Sequence, residues 1–411
     1  MMRDIDYILE FCVNLSRNMI MSGANLERIH TAAETVSKAY GLRDVSMFLL
    51  STHMTISAYD DEGNYSSRQI SIPPAGIHLE RLRSLSQLSY KVAEITPNPK
   101  TLPQMLERAN NVGDYSEYMI LAGKICAMLC LGFIFGATLW DAVPIVFVTV
   151  LIHFLMSTLE KSGLDRMLVN SLTMWTASSL ALMFIYSGFD GNFAVIVITV
   201  SMLVIPGIPL VNAMRNLLCG NEINGILQML KISVETMALA LGIYGAFMMF
   251  GIEETFSKPL SAMTNPAYLV AFSFIASVGF GVVFRIPPKD LWLAGLGGAL
   301  SRVSVIYLPT IIHSRLLYMT LSASAAALYA EFLAVKRKQP STYFVYPSII
   351  PLIPGDLFYY AVTGIYLGAK SWVEMNGVNC LISLAGLSMG FVLASTVSIH
   401  VRRGRIRIWE K

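Results

Sequence analysis

Two apolar stretches decide how this chain is read: VIPGIPLVN at residues 204–212 and IIPLIPGDL at residues 349–357. Each carries a pair of prolines beside a glycine. A proline inside a helix removes a backbone donor and clashes with the preceding turn, so both stretches predict a broken or kinked helix. In hydrocarbon the freed backbone groups are tolerated where they line a protein-enclosed or watery cavity, which is also where transporters place their substrate sites. Whether that argument applies depends on the solvent around the two stretches.

The composition answers for lipid. Of 411 residues 55% are hydrophobic and 14% charged, and the mean hydropathy is +0.57, the values of a polytopic membrane protein. Polarity is uneven along the chain. Residues 1–116 are mixed and charged, and from Glu117 onward apolar runs of about 18 to 22 residues follow one another. The spans are expected near 118–137, 142–158, 167–187, 193–212, 232–251, 267–284, 290–308, 316–334, 342–367 and 379–400. The start, MMRDIDYILEF, lacks a basic region followed by an uninterrupted apolar core, so no cleaved signal peptide is expected.

Charge sets the orientation. With the N-terminus inside, the inner loops hold Lys161, Arg166, Arg215, Lys231, Arg285, Lys289 and Lys336 to Lys338, and the tail adds Arg402, Arg403, Arg405, Arg407 and Lys411. Only Lys258, Arg315 and Lys370 fall outside. Both termini therefore read as cytoplasmic, in the cytoplasmic (inner) membrane.

The two Pro-Gly stretches also stand in register. Pro206-Gly207 and Pro354-Gly355 are 148 residues apart, and the span starts near Asp141 and Asp290 differ by 149, as do Gly132 and Gly281. Such spacing predicts two five-span repeats, and an odd number of spans makes the second copy inverted. The expected fold is an α-helical polytopic membrane protein of about ten transmembrane helices in two inverted five-helix repeats, preceded by a small α/β cytosolic segment. Its parts are a cytosolic segment at 1–116, a first repeat at 117–252, an extracytoplasmic loop at 253–266 and a second repeat with a basic tail at 267–411.

Within 1–116, Leu26, Ile29, Ala33, Val36 and Tyr40 recur at helical spacing and Gly41 offers a stop. VSMFLLS and MTISAYDDEGNYSSRQISI read as strands with a hairpin at Asp61–Asn64, and HLERLRSLSQLSYKVAEI reads as a second helix. A Pro-rich connection and a short helix lead on to the membrane.

A half-helix N-terminus suits a carboxylate, and an opposing C-terminal end suits an ammonium, so two breaks together suit an amino-acid zwitterion. Asp356, directly after Pro354-Gly355, is a candidate for proton coupling or ammonium binding, because an ionised carboxylate within a span is costly unless paired or protonated. Arg215 is a candidate for the inner mouth of the site. Lys124, Glu235 and Glu331 lie close enough to span ends to snorkel, and His153 and His313 read as packed or interfacial. Gly132/Gly136, Gly386/Gly390 and SASAAALYA at 322–330 suit close helix packing.

Enzyme chemistry finds no support. The sequence holds no phosphate loop, no HExxH and no nucleophile elbow. GLGGAL at 295–300 lacks the aspartate that an intramembrane aspartyl protease would need. Cys12, Cys126, Cys130, Cys219 and Cys380 form no CxxC. No cofactor, metal or nucleic-acid partner is expected.

As a set, SGANLERIHTAAETVSKAYG (22–41), VIPGIPLVNAMRNLLCGNEINGIL (204–227), FRIPPKDLWLAGLGGALSR (284–302) and YPSIIPLIPGDLFYYAVTGIYLG (346–368) resemble the threonine/serine exporter family, in family order from about residue 5 to 400. The chain looks like a single-chain form in which two family modules are fused. The resemblance implies ten transmembrane helices and export of threonine and serine, driven by the proton-motive force. By motif position it implicates Pro206, Gly207, Pro209, Asn212, Pro351, Pro354 and Gly355. Family members often carry Asp where this chain has Asn216, which removes any charge-dependent role there.

Protons, the bilayer and a small-molecule substrate are thus the expected partners, with a homo-oligomer left open. Two other readings compete. Two-chain relatives are associated with dicarboxylate efflux, and a succinate-like substrate would need a second cationic contact, for which Arg215 is nearest. A membrane sensor signalling through the cytosolic segment is the third.

Overall fold

The computed structural model describes residues 4–50, 53–73, 76–218, 220–250, 265–337 and 339–409, with side chains through Ser398. The expected outer loop up to residue 264, Lys258, Cys219, Lys338 and the cationic side chains of the tail lie outside the described residues. The chain divides into two compact units.

The first unit comprises residues 1–115 together with 284–288 and 332–344. It opens with α1 (Asp4–Met21), α2 (Leu26–Ala39), β1 (Arg43–Leu49), β2 (His53–Tyr59) and β3 (Tyr65–Ser71), then α3 (Leu79–Ile95) and α4 (Leu102–Asn110). The sheet is antiparallel in the order β1-β2-β3. Along β2 every second residue, Met54, Ile56 and Ala58, is fully buried, the period of a strand with one face on a core. α1, with Leu9, Leu15 and Met19 buried, packs on β2 and β3, and α3, with Leu79, Leu82 and Leu85 buried, packs on α1 and α2. Each such side chain contributes roughly 1.5–3 kcal/mol by leaving water.

Polar groups fix the ends of these elements. The Asn25 side chain accepts from Arg28 N at 3.1 Å and starts α2. In the β2–β3 hairpin, Asp60 Oδ1 accepts from the N–H groups of Glu62 (3.0 Å) and Asn64 (2.8 Å). Asp6 of α1 accepts from Ser66 Oγ at 2.6 Å and pairs with Arg68 at 3.1 Å, holding the helix on β3.

Residues 284–288 belong to this unit through three bonds. Leu79 N donates to Phe284 O at 2.9 Å, Tyr115 Oη donates to Ile286 O at 2.6 Å, and Arg285 pairs with Asp114 at 2.7 Å. His78 caps α3, its Nδ1 accepting from Arg81 N at 3.2 Å. Burial, with Arg81 and Arg285 nearby, pushes its pKa down to about 4 against the opposing pull of Asp114, so the ring stays neutral and can accept.

The second unit is helical throughout. It holds α5 (Glu117–Ile134), α6 (Leu139–Lys161), α7 (Arg166–Tyr186), α8 (Phe193–Ser201), α9 (Gly207–Leu218) and α10 (Glu222–Phe250). After these come α11 (Pro266–Val283), α12 (Leu291–Tyr307), α13 (Arg315–Arg337), α14 (Thr342–Ile349), α15 (Gly355–Tyr366) and α16 (Lys370–Trp409), with the end of α13 and the start of α14 counted in the first unit. Among the described residues eight continuous helical stretches are long and apolar enough to cross a membrane. The span expected at 342–367 is a pair of helices bent by 49°. The span expected at 193–212 is two short helices, α8 and α9, of 9 and 12 residues. A count of ten therefore requires each broken pair to cross once.

α10 and α16 begin at residues 222 and 370, well before the apolar runs expected at 232 and 379. Hydropathy marks where lipid begins, whereas a helix continues into polar sequence as long as its backbone bonds are made. On α6 the exposed side chains Val143, Phe147, Leu151 and Phe154 recur at helical spacing. Such a stripe is a liability in water and the expected surface in lipid. Asp141, fully buried, is satisfied by Thr138 N at 2.7 Å, Thr138 Oγ1 at 2.8 Å and Asn192 N at 2.6 Å, which ties α6 to the start of α8.

The second unit repeats its own plan. Helical stretches start at residues 117 and 266, 139 and 288, 166 and 315, 207 and 355, and 222 and 370, offsets of 148 or 149 throughout. Packing repeats as well. A Cβ on Gly242 of α10 would collide with Ser171 O of α7, and one on Gly390 of α16 would stand 2.5 Å from Thr320 O of α13. Gly242 and Gly390 differ by 148, and Ser171 and Thr320 by 149. In both halves a glycine lets two helices approach backbone to backbone, the device that apolar solvent favours.

Candidate substrate site at two broken helices

Each break is the same turn. α8 ends with Ile205 N on Ser201 O at 2.8 Å; then Gly207 N reaches back only to Ile205 O, at 2.8 Å, across Pro206. At the second break Gly355 N reaches Ile353 O at 2.9 Å across Pro354, whose φ of −80° and ψ of 63° are those of an inverse γ-turn. From each turn a 12-residue helix departs, α9 after the first and α15 after the second. Proline supplies both the fixed φ and the missing donor that make the tight turn the local solution. In α15 the N–H groups of Asp356 and Leu357 have no backbone partner among the described residues, leaving a positive helix end.

The two breaks touch. A Cβ on Gly207 would stand 2.6 Å from Ile353 Cδ1, in the residue before Pro354. A Cβ on Gly355 would collide with Met202 Sδ, just past the end of α8. Each helix start therefore abuts the turn of the other break, and glycine is the residue that lets it. Asn212 Nδ2 adds a bond of 3.0 Å to Tyr346 Oη of α14. Pro351, Pro354 and Gly355 are buried here, and Pro209 is exposed. Cys380 Sγ of α16 approaches Pro354 O at 3.9 Å.

Other expected residues lie apart from the turns. Arg215 Nη2 donates to Ser395 Oγ at 3.2 Å, joining the end of α9 to α16. Asn216 Nδ2 donates to Gln228 Oε1 at 2.9 Å, joining α9 to α10. Lys124 Nζ lies 3.1 Å from Nδ1 of the buried His153.

One group at the breaks was not among the expected ones. Arg302 of α12 donates through Nε to Ser273 Oγ of α11 at 2.9 Å and through Nη2 to Pro351 O at 3.1 Å. An arginine inside the apolar run 290–308 is the signal that could have found it. Arg302 and Ser273 stand 149 residues after His153 and Lys124, so the same two helix positions carry a polar contact in both halves. Among the described residues no group of three or more His, Cys, Asp or Glu side chains is placed to hold a metal ion.

A family model described as "Putative threonine/serine exporter" matches residues 10–250, more than half of the chain. The chain belongs to the threonine/serine exporter family. A second model, described as "Threonine/Serine exporter, ThrE", matches residues 269–397. The first match ends with α10, and the second begins three residues into α11, so the two matches divide the helices into two runs. No curated protein and no solved structure matches the chain. Family and apolar helices together make it a multi-pass membrane exporter of a small molecule.

Proposed function

We propose that the chain exports threonine and serine across the cytoplasmic membrane as a proton-coupled antiporter, with both termini cytoplasmic and its two helical halves forming an inverted repeat. The observation that carries this reading is the pair of matching γ-turns at Pro206 and Pro354, brought together in a chain of the threonine/serine exporter family. Broken helices at a repeat interface are where secondary transporters hold solute, and rocking one half against the other exposes it to either side. Pro206, Gly207, Pro209, Pro351, Pro354 and Gly355 shape this site, Asn212 steadies it through Tyr346, and Arg215 lines its inner approach.

Asp356 couples the proton. A carboxylate in the first turn of α15 can hold either a proton or the ammonium of an amino acid, and holding one excludes the other. Facing outward it takes a proton and releases solute; facing inward it loses the proton and binds solute. The proton-motive force thereby drives export.

Cells expressing the chain and fed a threonine-containing dipeptide should excrete threonine several-fold faster than cells without it, and a protonophore should remove the difference. Excretion that is unchanged by the chain would refute the reading. Excretion indifferent to the protonophore would refute the coupling alone.

A further inference from the structure

Arg302 is a cation of the second unit held by two hydrogen bonds. It sits within the apolar α12, where an ionised side chain is costly and by default functional. Its guanidinium is oriented by two bonds, Nε to Ser273 Oγ at 2.9 Å and Nη2 to Pro351 O at 3.1 Å. Nη1 makes no hydrogen bond among the described residues. The carbonyl it grips lies three residues before Pro354, in the short 3-10 helix at 350–352 that leads into the turn opening α15.

Asp356 begins the other side, five residues after the carbonyl that Arg302 holds. Among the described residues the two form no ion pair, and the Asp356 carboxylate accepts no hydrogen bond. A fixed cation and a carboxylate thus share one neighbourhood without neutralising each other by contact. The backbone of α15 adds the N–H groups of Asp356 and Leu357, which have no backbone partner among the described residues.

We infer that Arg302 is the residue that binds the carboxylate of the exported solute, with Asp356 taking its ammonium, so that the site selects a zwitterion. A guanidinium fork fits a carboxylate in a way that lysine does not. An amino acid bridges the two charges and satisfies both. A dicarboxylate would satisfy Arg302 and set its second anion against Asp356, so the pair also rejects succinate-like solutes. Ser273 and Pro351 are positioning groups, holding the fork's plane. This inference rests on the transporter reading and assigns its specificity.

The test is exchange of labelled threonine in proteoliposomes at equal pH on both sides, with unlabelled competitors. The competitors are threonine, threoninamide, which lacks the carboxylate, and N-acetylthreonine, which lacks the ammonium. Wild-type protein should be inhibited by threonine about 30-fold more strongly than by threoninamide, the scale of losing one partner of a desolvated charge pair. In Arg302→Gln that preference should disappear while the preference over N-acetylthreonine remains, and Arg302→Lys should restore it only in part. Equal inhibition of the wild type by threonine and threoninamide overturns the assignment without any variant having to fold. A preference for threonine retained in Arg302→Gln overturns it as well. Wild-type protein that exchanges no threonine refutes the transporter reading itself.

Discussion

Asp356→Asn is expected to abolish proton-driven export while sparing exchange. The amide keeps the size of the side chain but can neither release a proton nor form an ion pair. In proteoliposomes with an imposed pH gradient, net threonine efflux from this variant should fall to the level of empty vesicles. Threonine-for-threonine exchange at equal pH needs no proton and should persist at saturating threonine, with a KM raised about tenfold for the lost ammonium contact. The split is what distinguishes a coupling group from a structural one. A carboxylate that merely faced water at a turn could be replaced with little change in either assay, and one needed for folding would take both away. Gradient-driven efflux at the wild-type rate in Asp356→Asn would end its assigned role.

The second large effect is expected where the breaks touch. Gly207→Val places side-chain atoms where Ile353 Cδ1 already stands, 2.6 Å from the added Cβ. Overpacking of this kind costs about 1–3 kcal/mol, enough to reduce the population of a closed site by about fivefold to 150-fold. Threonine exchange should fall accordingly. The neighbour is a side chain, so space can be returned: Gly207→Val combined with Ile353→Ala should recover much of the lost rate. The pair Gly355→Val and Met202→Ala should behave in the same way, because the obstructing atom is Met202 Sδ. Failure of both rescues, with the protein still monodisperse in detergent, would mean that the two breaks do not meet in the working transporter.

Much of this architecture was legible in the sequence, because lipid imposes a simple rule on composition. Apolar runs of spanning length located the long helices, and the prolines at 206 and 354 located both breaks. The offsets of 148 and 149 anticipated the matching element starts. In the first unit, the hairpin signal at Asp61–Asn64 between two strand-like runs and the 3.6-residue period of α2 gave their elements correctly. The first helix, α1, carries the same helical period in Ile5, Ile8, Cys12, Leu15 and Met19, but at a chain start such an apolar run is read first for targeting.

What stayed hidden was which spans face each other. Spacing along one helix gives its faces, not its neighbours, so nothing linear pairs Gly207 with Ile353 or Gly355 with Met202. Arg302 illustrates the same limit: its bond to Pro351 O joins residues 49 apart. The bond from Arg215 on α9 to Ser395 on α16 joins residues 180 apart and was equally out of reach of linear spacing.

The central claim, that these breaks build a proton-coupled site for threonine and serine, is tested most directly by efflux of labelled threonine, serine and succinate from proteoliposomes, with and without an imposed proton gradient. Efflux of threonine and serine that the gradient accelerates, with succinate left behind, is the predicted result. Gradient-driven efflux of succinate with threonine and serine retained would contradict it.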